Sequence, residues 1–128
     1  MGRVANPRIT KTVSFASNTK QSPTIDLEGY RVMGLQVASG WDAANLMSFR
    51  GSNDGATFYG IFDSSGGEIT IASGAAVLGS ATQHLFSFNH DVSLQLSARR
   101  YLQIQSGPTT ASVTMTTTVA IDVILVPF

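Results

Sequence analysis

The chain has 128 residues, with eight basic and eight acidic side chains, a formal charge of zero and only 12% charged residues. That length gives one domain with a hydrophobic core of its own, and the complete lack of cysteine excludes a disulfide scaffold, a thiolate zinc site and cysteine catalysis. Zero charge argues against a nucleic-acid partner, which calls for a basic excess against phosphates, and a surface with so little self-repulsion suits contact with copies of itself or a larger body.

The opening "MGRVANPRIT" has no apolar h-region, so no secretory signal is expected. No apolar run approaches the roughly 20 residues of a membrane span, so no membrane partner is expected either. Residues 1–10 read as a flexible N-terminal arm. Pro7 lacks an N–H donor and biases Asn6 towards extended geometry, and Arg3 and Arg8 carry the arm's side-chain charge. Residues 11–128 read as a single β-sandwich domain.

From there the pattern has a period of two, the mark of strands with one face in a core. "TVSFAS" aligns Val13 and Phe15, and "TIDLEGY" aligns Ile25 and Leu27. "RVMGLQVA" aligns Met33, Leu35 and Val37, and "NLMSFRGS" aligns Met47 and Phe49. "TFYGIF" is apolar on both faces, with Phe58 and Phe62 opposite Tyr59 and Ile61; "EITIA" aligns Ile69 and Ile71. "HLFSF" aligns Phe86 and Phe88, "VSLQLS" aligns Val92, Leu94 and Leu96, and "RYLQIQS" aligns Leu102 and Ile104. In "SVTMTTTVAIDVILV" the residues Val113, Met115, Val119, Ile121, Val123 and Leu125 share one face, with threonines and Asp122 on the other. As one strand that segment would reach roughly 46 Å, so a bend, a bulge or two strands is expected. The one helical candidate is a single turn in "GWDAANL". The fold class is therefore all-β, an antiparallel β-sandwich or jelly roll of about nine short strands.

Two acidic, glycine-rich knots, "SNDGAT" and "DSSGGE", separate apolar runs. Asn53-Asp54-Gly55 is a hairpin signal, because Asn and Asp tolerate left-handed backbone and Gly adopts it freely. Asp63 can accept hydrogen bonds from its own backbone two residues on. Asp63, Ser65 and Glu68 do not follow the alternation of a calcium loop, and no P-loop pattern exists, so both knots read as turns and no metal is expected.

His84 and His90 are the only groups that titrate near neutral pH without perturbation. His90-Asp91 in "NHD" reads as a turn. With no nucleophile elbow and no further zinc ligands, no catalytic residue is assigned and no cofactor or enzymatic activity is expected. Trp41, the only tryptophan, reads as a plug for one end of the core with its N–H paired to a carbonyl. As an exposed loop residue it would instead stack on a sugar.

The middle of the chain resembles small virion proteins of tailed bacteriophages. The resemblance runs through "TIDLEGYRVMGLQVASGWDAANLMSFRGSNDGATFYGIFDSSGGEITI" and "RRYLQIQSG" to a hydrophobic closing strand. Ala44, Leu46, Phe49, Ser52, Asp54, Gly55, Phe58 and Arg100-Tyr101-Leu102 look like that family's pattern. "ANLMSFRGS" holds one residue more between Leu46 and Phe49 than the pattern, which implies a bulge or shifted register. "PTTASVT" also stands where relatives often carry an Asn-Gln pair. The resemblance implies a capsid decoration or cement protein on the virion surface, assembled in the bacterial cytoplasm. Its partners would be the major capsid protein and other copies of itself, as a dimer or trimer. The arm residues Arg3, Pro7, Arg8 and Ile9 are then the expected capsid contacts. A head–tail or tail accessory protein is the nearest alternative. The same rhythm is also similar to discoidin-type carbohydrate-binding sandwiches, in which Trp41 would be the glycan contact.

Overall fold

The computed structural model describes residues 8–42, 44–72 and 84–127. The strands are β1 (Ile9–Phe15), β2 (Ile25–Asp26), β3 (Arg31–Val37), β4 (Met47–Ser52), β5 (Tyr59–Gly60), β6 (Thr70–Ile71), β7 (His84–Ser87), β8 (Tyr101–Ser106) and β9 (Val119–Val126). One helix, α1 (His90–Leu96), lies between β7 and β8. The strands form two antiparallel sheets. One has the order β1-β9-β3-β7, and the other β2-β8-β4-β5 with β6 also pairing with β4. Their inner faces share one core, to which Phe15, Leu35, Val37 and Ile121 come from the first sheet and Ile25, Phe49, Leu102 and Ile104 from the second. The protein is an all-β sandwich.

The β9 strand shows why the sequence folds this way. Val119, Ile121, Val123 and Leu125 are all buried, while Ala120 faces outwards. Burying one such side chain contributes roughly 1.5–3 kcal/mol. On the outer face Thr12 donates to the Asp122 carboxylate at 2.6 Å, across the β1–β9 pair. A cross-strand pair of that kind adds only roughly 0.2–1 kcal/mol, so the core stripe sets the register.

Four expectations are corrected. Ile9 and Thr10 belong to β1 and pair with Leu125 and Ile124, so the domain starts inside the segment read as an arm. The closing segment breaks, as its length required, and its strand begins only at Val119, which takes Val113 off the shared inner face. Val113 is 41% exposed, and Thr116 and Thr117 turn their side chains to Asp42 and to the Gly40 carbonyl instead of continuing a ladder. The irregularity expected in β4 is absent, for β4 pairs with β8 in unbroken register from Met47–Ser106 to Ser52–Tyr101. It lies in β3 instead, where the register with β9 shifts between Val32 and Gly34. The extra residue, Met33, is turned out to 41% exposure, and Val32 takes the inward place that simple alternation assigned to Met33.

The fourth correction is α1. "VSLQLS" alternates like a strand, yet Val92 and Leu96 also stand one helical turn apart. Asn89 decides between them, because its side chain accepts from the Val92 N–H at 2.9 Å and caps the first turn. The helix is held where β3 bulges. Ser93 donates to the Val32 carbonyl at 2.5 Å, and the Val32 N–H donates to the Ser97 hydroxyl at 2.8 Å. Two serines of the helix and its C-terminal cap thus satisfy the backbone groups that an irregular strand would otherwise leave unpaired.

Candidate functional site

The two glycine-rich knots are turns built from their own carboxylates. Asp54 Oδ1 accepts from the Ala56 and Thr57 N–H groups at 2.9 and 3.0 Å, and from the Ser52 hydroxyl at 2.9 Å. The Thr57 and Ala56 amides, followed by Ser52, hold the Asp54 carboxyl down at about 2. Gly55 has φ +78°, the left-handed region that favours glycine, and a Cβ there would sit 3.4 Å from the Tyr101 ring. Asp63 Oδ1 accepts from the Ser65 and Gly67 N–H groups, each at 2.9 Å. These carboxylates orient backbone, and among the described residues no group of three or more His, Asp or Glu is arranged to hold a metal ion.

Trp41 is fully buried. Its indole N–H donates to the Asn45 carbonyl at 2.8 Å, and its ring meets Phe15 edge-on at 5.3 Å. Asn45 in turn donates to the Ser106 hydroxyl at 2.9 Å. With no ring face open to solvent, Trp41 cannot serve as the glycan contact that the carbohydrate-binding alternative assigns to it. Of the arm residues, Arg3 and Pro7 lie outside the described residues, and Arg8 is exposed just before β1. Ile9 is half-buried in β1, where it opposes Leu125 and packs against the core. Of the histidines, His84 opens β7 and His90 is an exposed residue of the first turn of α1.

One margin of the sandwich is closed by charge. Lys11, on the inward side of edge strand β1, reaches over to β2, where it donates to the Asp26 carbonyl at 2.8 Å and pairs with Glu28. Arg100 grips the Asp26 carboxylate with two hydrogen bonds, at 3.0 and 3.2 Å. That grip holds the Asp26 carboxyl below its ordinary range and the Arg100 guanidinium above its own. The pairs are exposed, so their energetic weight is small. Their geometric effect is larger, because an inward-pointing lysine on an edge strand hinders another strand from adding there.

The opposite margin is open. The turn that joins β5 to β6 packs near the C-terminal end of α1, and Gly51, Tyr59, Ile61, Phe62, Gln95 and Arg99 line a cleft of about 300 Å³ between them. Tyr59 is 71% exposed and Phe62 46%. Arg99 makes one long hydrogen bond, 3.4 Å to the Ala98 carbonyl, and pairs with no carboxylate among the described residues. Beyond Gln95 the seam continues into a second cleft, of about 340 Å³, rimmed by Asp63 and Asp91. An exposed cluster of Tyr, Phe and Arg has the composition of protein contact surfaces. Reading along the chain missed this surface because its halves are distant in sequence. The one sign was "TFYGIF", apolar on both faces where one would have served the core.

No family model and no curated protein matches the chain. Among solved structures it is similar to SPBc2 prophage-derived protein YomS, with a TM-score of 0.51 and 12% identity over 98% of this chain and 99% of that one. The likeness runs end to end and supports the sandwich assignment.

Proposed function

We propose that this chain is a bacteriophage virion structural protein, a capsid decoration or cement protein that binds the capsid exterior and stabilises subunit junctions. The observation that carries the phage reading is the end-to-end likeness to a prophage-derived protein of nearly the same extent. The sequence pattern from "TIDL" to "RYLQIQSG" supports the finer role, as do the low charge and formal neutrality.

The mechanism is mechanical. The sandwich supplies a rigid body, and on this reading it performs no catalysis and carries no cofactor. The partners are the major capsid protein and further copies of the chain. Individually weak contacts add up through the symmetry of the capsid. On this reading Arg3 and Arg8 of the N-terminal segment supply basic contacts to the capsid surface.

The test adds purified protein, full-length or lacking residues 1–8, to undecorated capsids of the phage that carries its gene, and counts bound copies by sedimentation. The full-length protein is expected to bind, and the truncated one to fold but bind less well. Equal binding removes the arm's role. Absence of binding by either, with the protein found in purified tails, replaces decoration by the tail alternative.

A further inference from the structure

We infer that the open margin formed by the β5–β6 turn and the end of α1 is a self-complementary face, through which two copies of this chain pair about a twofold axis. A twofold interface brings one patch against itself, so each feature must meet its complement within the same patch. This patch has that arrangement. Arg99 and Tyr59 stand at one end, in the cleft that Phe62 and Gln95 also line. Asp63 and Asp91 stand at the other, in the adjoining cleft that shares Gln95. Rotating one copy by half a turn about the middle lays Arg99 of each on the acidic end of the other and brings the two Phe62 rings together at the centre.

One charge at each end is free for such use: neither Arg99 nor Asp91 enters an ion pair among the described residues. The Asp63 carboxylate beside Asp91 adds negative charge to that end while it accepts from the Ser65 and Gly67 N–H groups of its own turn. Asp54 lies beyond Arg99, but its carboxylate is held by the Ala56 and Thr57 amides. The centre supplies the apolar part, with Phe62 at 46% exposure beside half-buried Ile61. The aliphatic stem of Arg99 lies over Gly51, where an added Cβ would come within 3.3 Å of Arg99 Cγ. That leaves the guanidinium at the rim, placed to reach outwards. A second copy fits better than a strongly charged partner, because the patch carries both signs and the chain as a whole carries no net charge.

The inference deepens the self-association that the proposed function includes, and its test needs no capsid. Sedimentation velocity over a concentration series reads the assembly state of the wild type, Arg99→Glu, Asp91→Arg, and an equimolar mixture of the two variants. In a homodimer of either variant both cross-pairs carry like charges. In the mixed dimer the introduced glutamate of one copy faces the introduced arginine of the other, and native Arg99 faces native Asp91, so both cross-pairs attract. The wild type is expected to dimerise, each variant alone to weaken dimerisation at least tenfold, and the mixture to recover it. Circular dichroism and melting curves, expected to match the wild type, separate loss of pairing from loss of fold. A monomeric wild type at every concentration overturns the inference. Variants that self-associate as well as the wild type overturn it too, since association would then use another face. Neither result touches capsid binding, and failure to bind capsids leaves the twofold face standing.

Discussion

The end of the sandwich closed by Trp41 and the margin lined by Tyr59 and Phe62 use the same kind of residue in opposite ways. At the closed end the indole N–H bonds the Asn45 carbonyl, and the Asn45 side chain bonds Ser106 and lies 3.7 Å from the Met115 sulfur. At the open margin Tyr59 and Phe62 project into solvent beside an arginine that has no ion-pair partner among the described residues. An aromatic ring shielded by a satisfied hydrogen-bond network holds a fold together, and one left exposed beside unpaired charge is available to a partner.

Substitutions at the two ends break this comparison most directly. Trp41→Ala is expected to destabilise the fold by about 3–5 kcal/mol, the cost of a large cavity in a packed core. Phe62→Ala is expected to stay within about 0.5 kcal/mol of the wild type in dilute protein, as a surface change. Urea melts at low protein concentration measure both. Equal destabilisation would mean that Phe62 is part of the core.

The turns flanking the open margin allow a smaller and sharper test. Gly55→Val places a β-branched side chain at φ +78° and is expected to cost at least about 1 kcal/mol. A melting temperature unchanged by this substitution would contradict the turn geometry.

The smallest effect is a pH dependence. The Asp54 carboxyl is held at about 2 against an ordinary 3.8, so its charged form is favoured in the fold. A depressed carboxylate stabilises above its unfolded value and loses that contribution as pH falls through the folded one, here from about pH 4 to about pH 2. Asp54→Asn keeps an acceptor oxygen but removes the titration. It is expected to make stability flatter across that window in thermal melts. The same acid slope in the variant would place the titration elsewhere, and Asp26, also held low, would be the next carboxylate to test.

Strand faces and turns were legible in the sequence because both rest on short-range rules. Val13 and Phe15, Met47 and Phe49, Leu102 and Ile104, and the stripe from Val119 to Leu125 follow strict alternation, and each pair or stripe lies on the inner side of its sheet. The hairpin at Gly55 and the Asp63 turn follow from residue chemistry over a few positions. The helix was hidden because a seven-residue segment with Val92, Leu94 and Leu96 satisfies both periods. A strand reading buries all three, yet Leu94 is 38% exposed. The bulge at Met33 is a backbone event that leaves no mark in side-chain type. The open margin was least legible, because its chemistry exists only once α1 packs beside a turn far from it in sequence.

The difference between the two ends is tested most directly by hydrogen–deuterium exchange at two protein concentrations, roughly 1 μM and roughly 300 μM, which bracket a weak dimer by mass action. Amides in 59–62 and 95–99 are expected to exchange more slowly at the higher concentration, while those around Trp41 and Asn45 exchange alike at both. Identical exchange at the open margin, or new protection confined to the edge of β1, would contradict a pairing face built from Tyr59, Phe62 and Arg99.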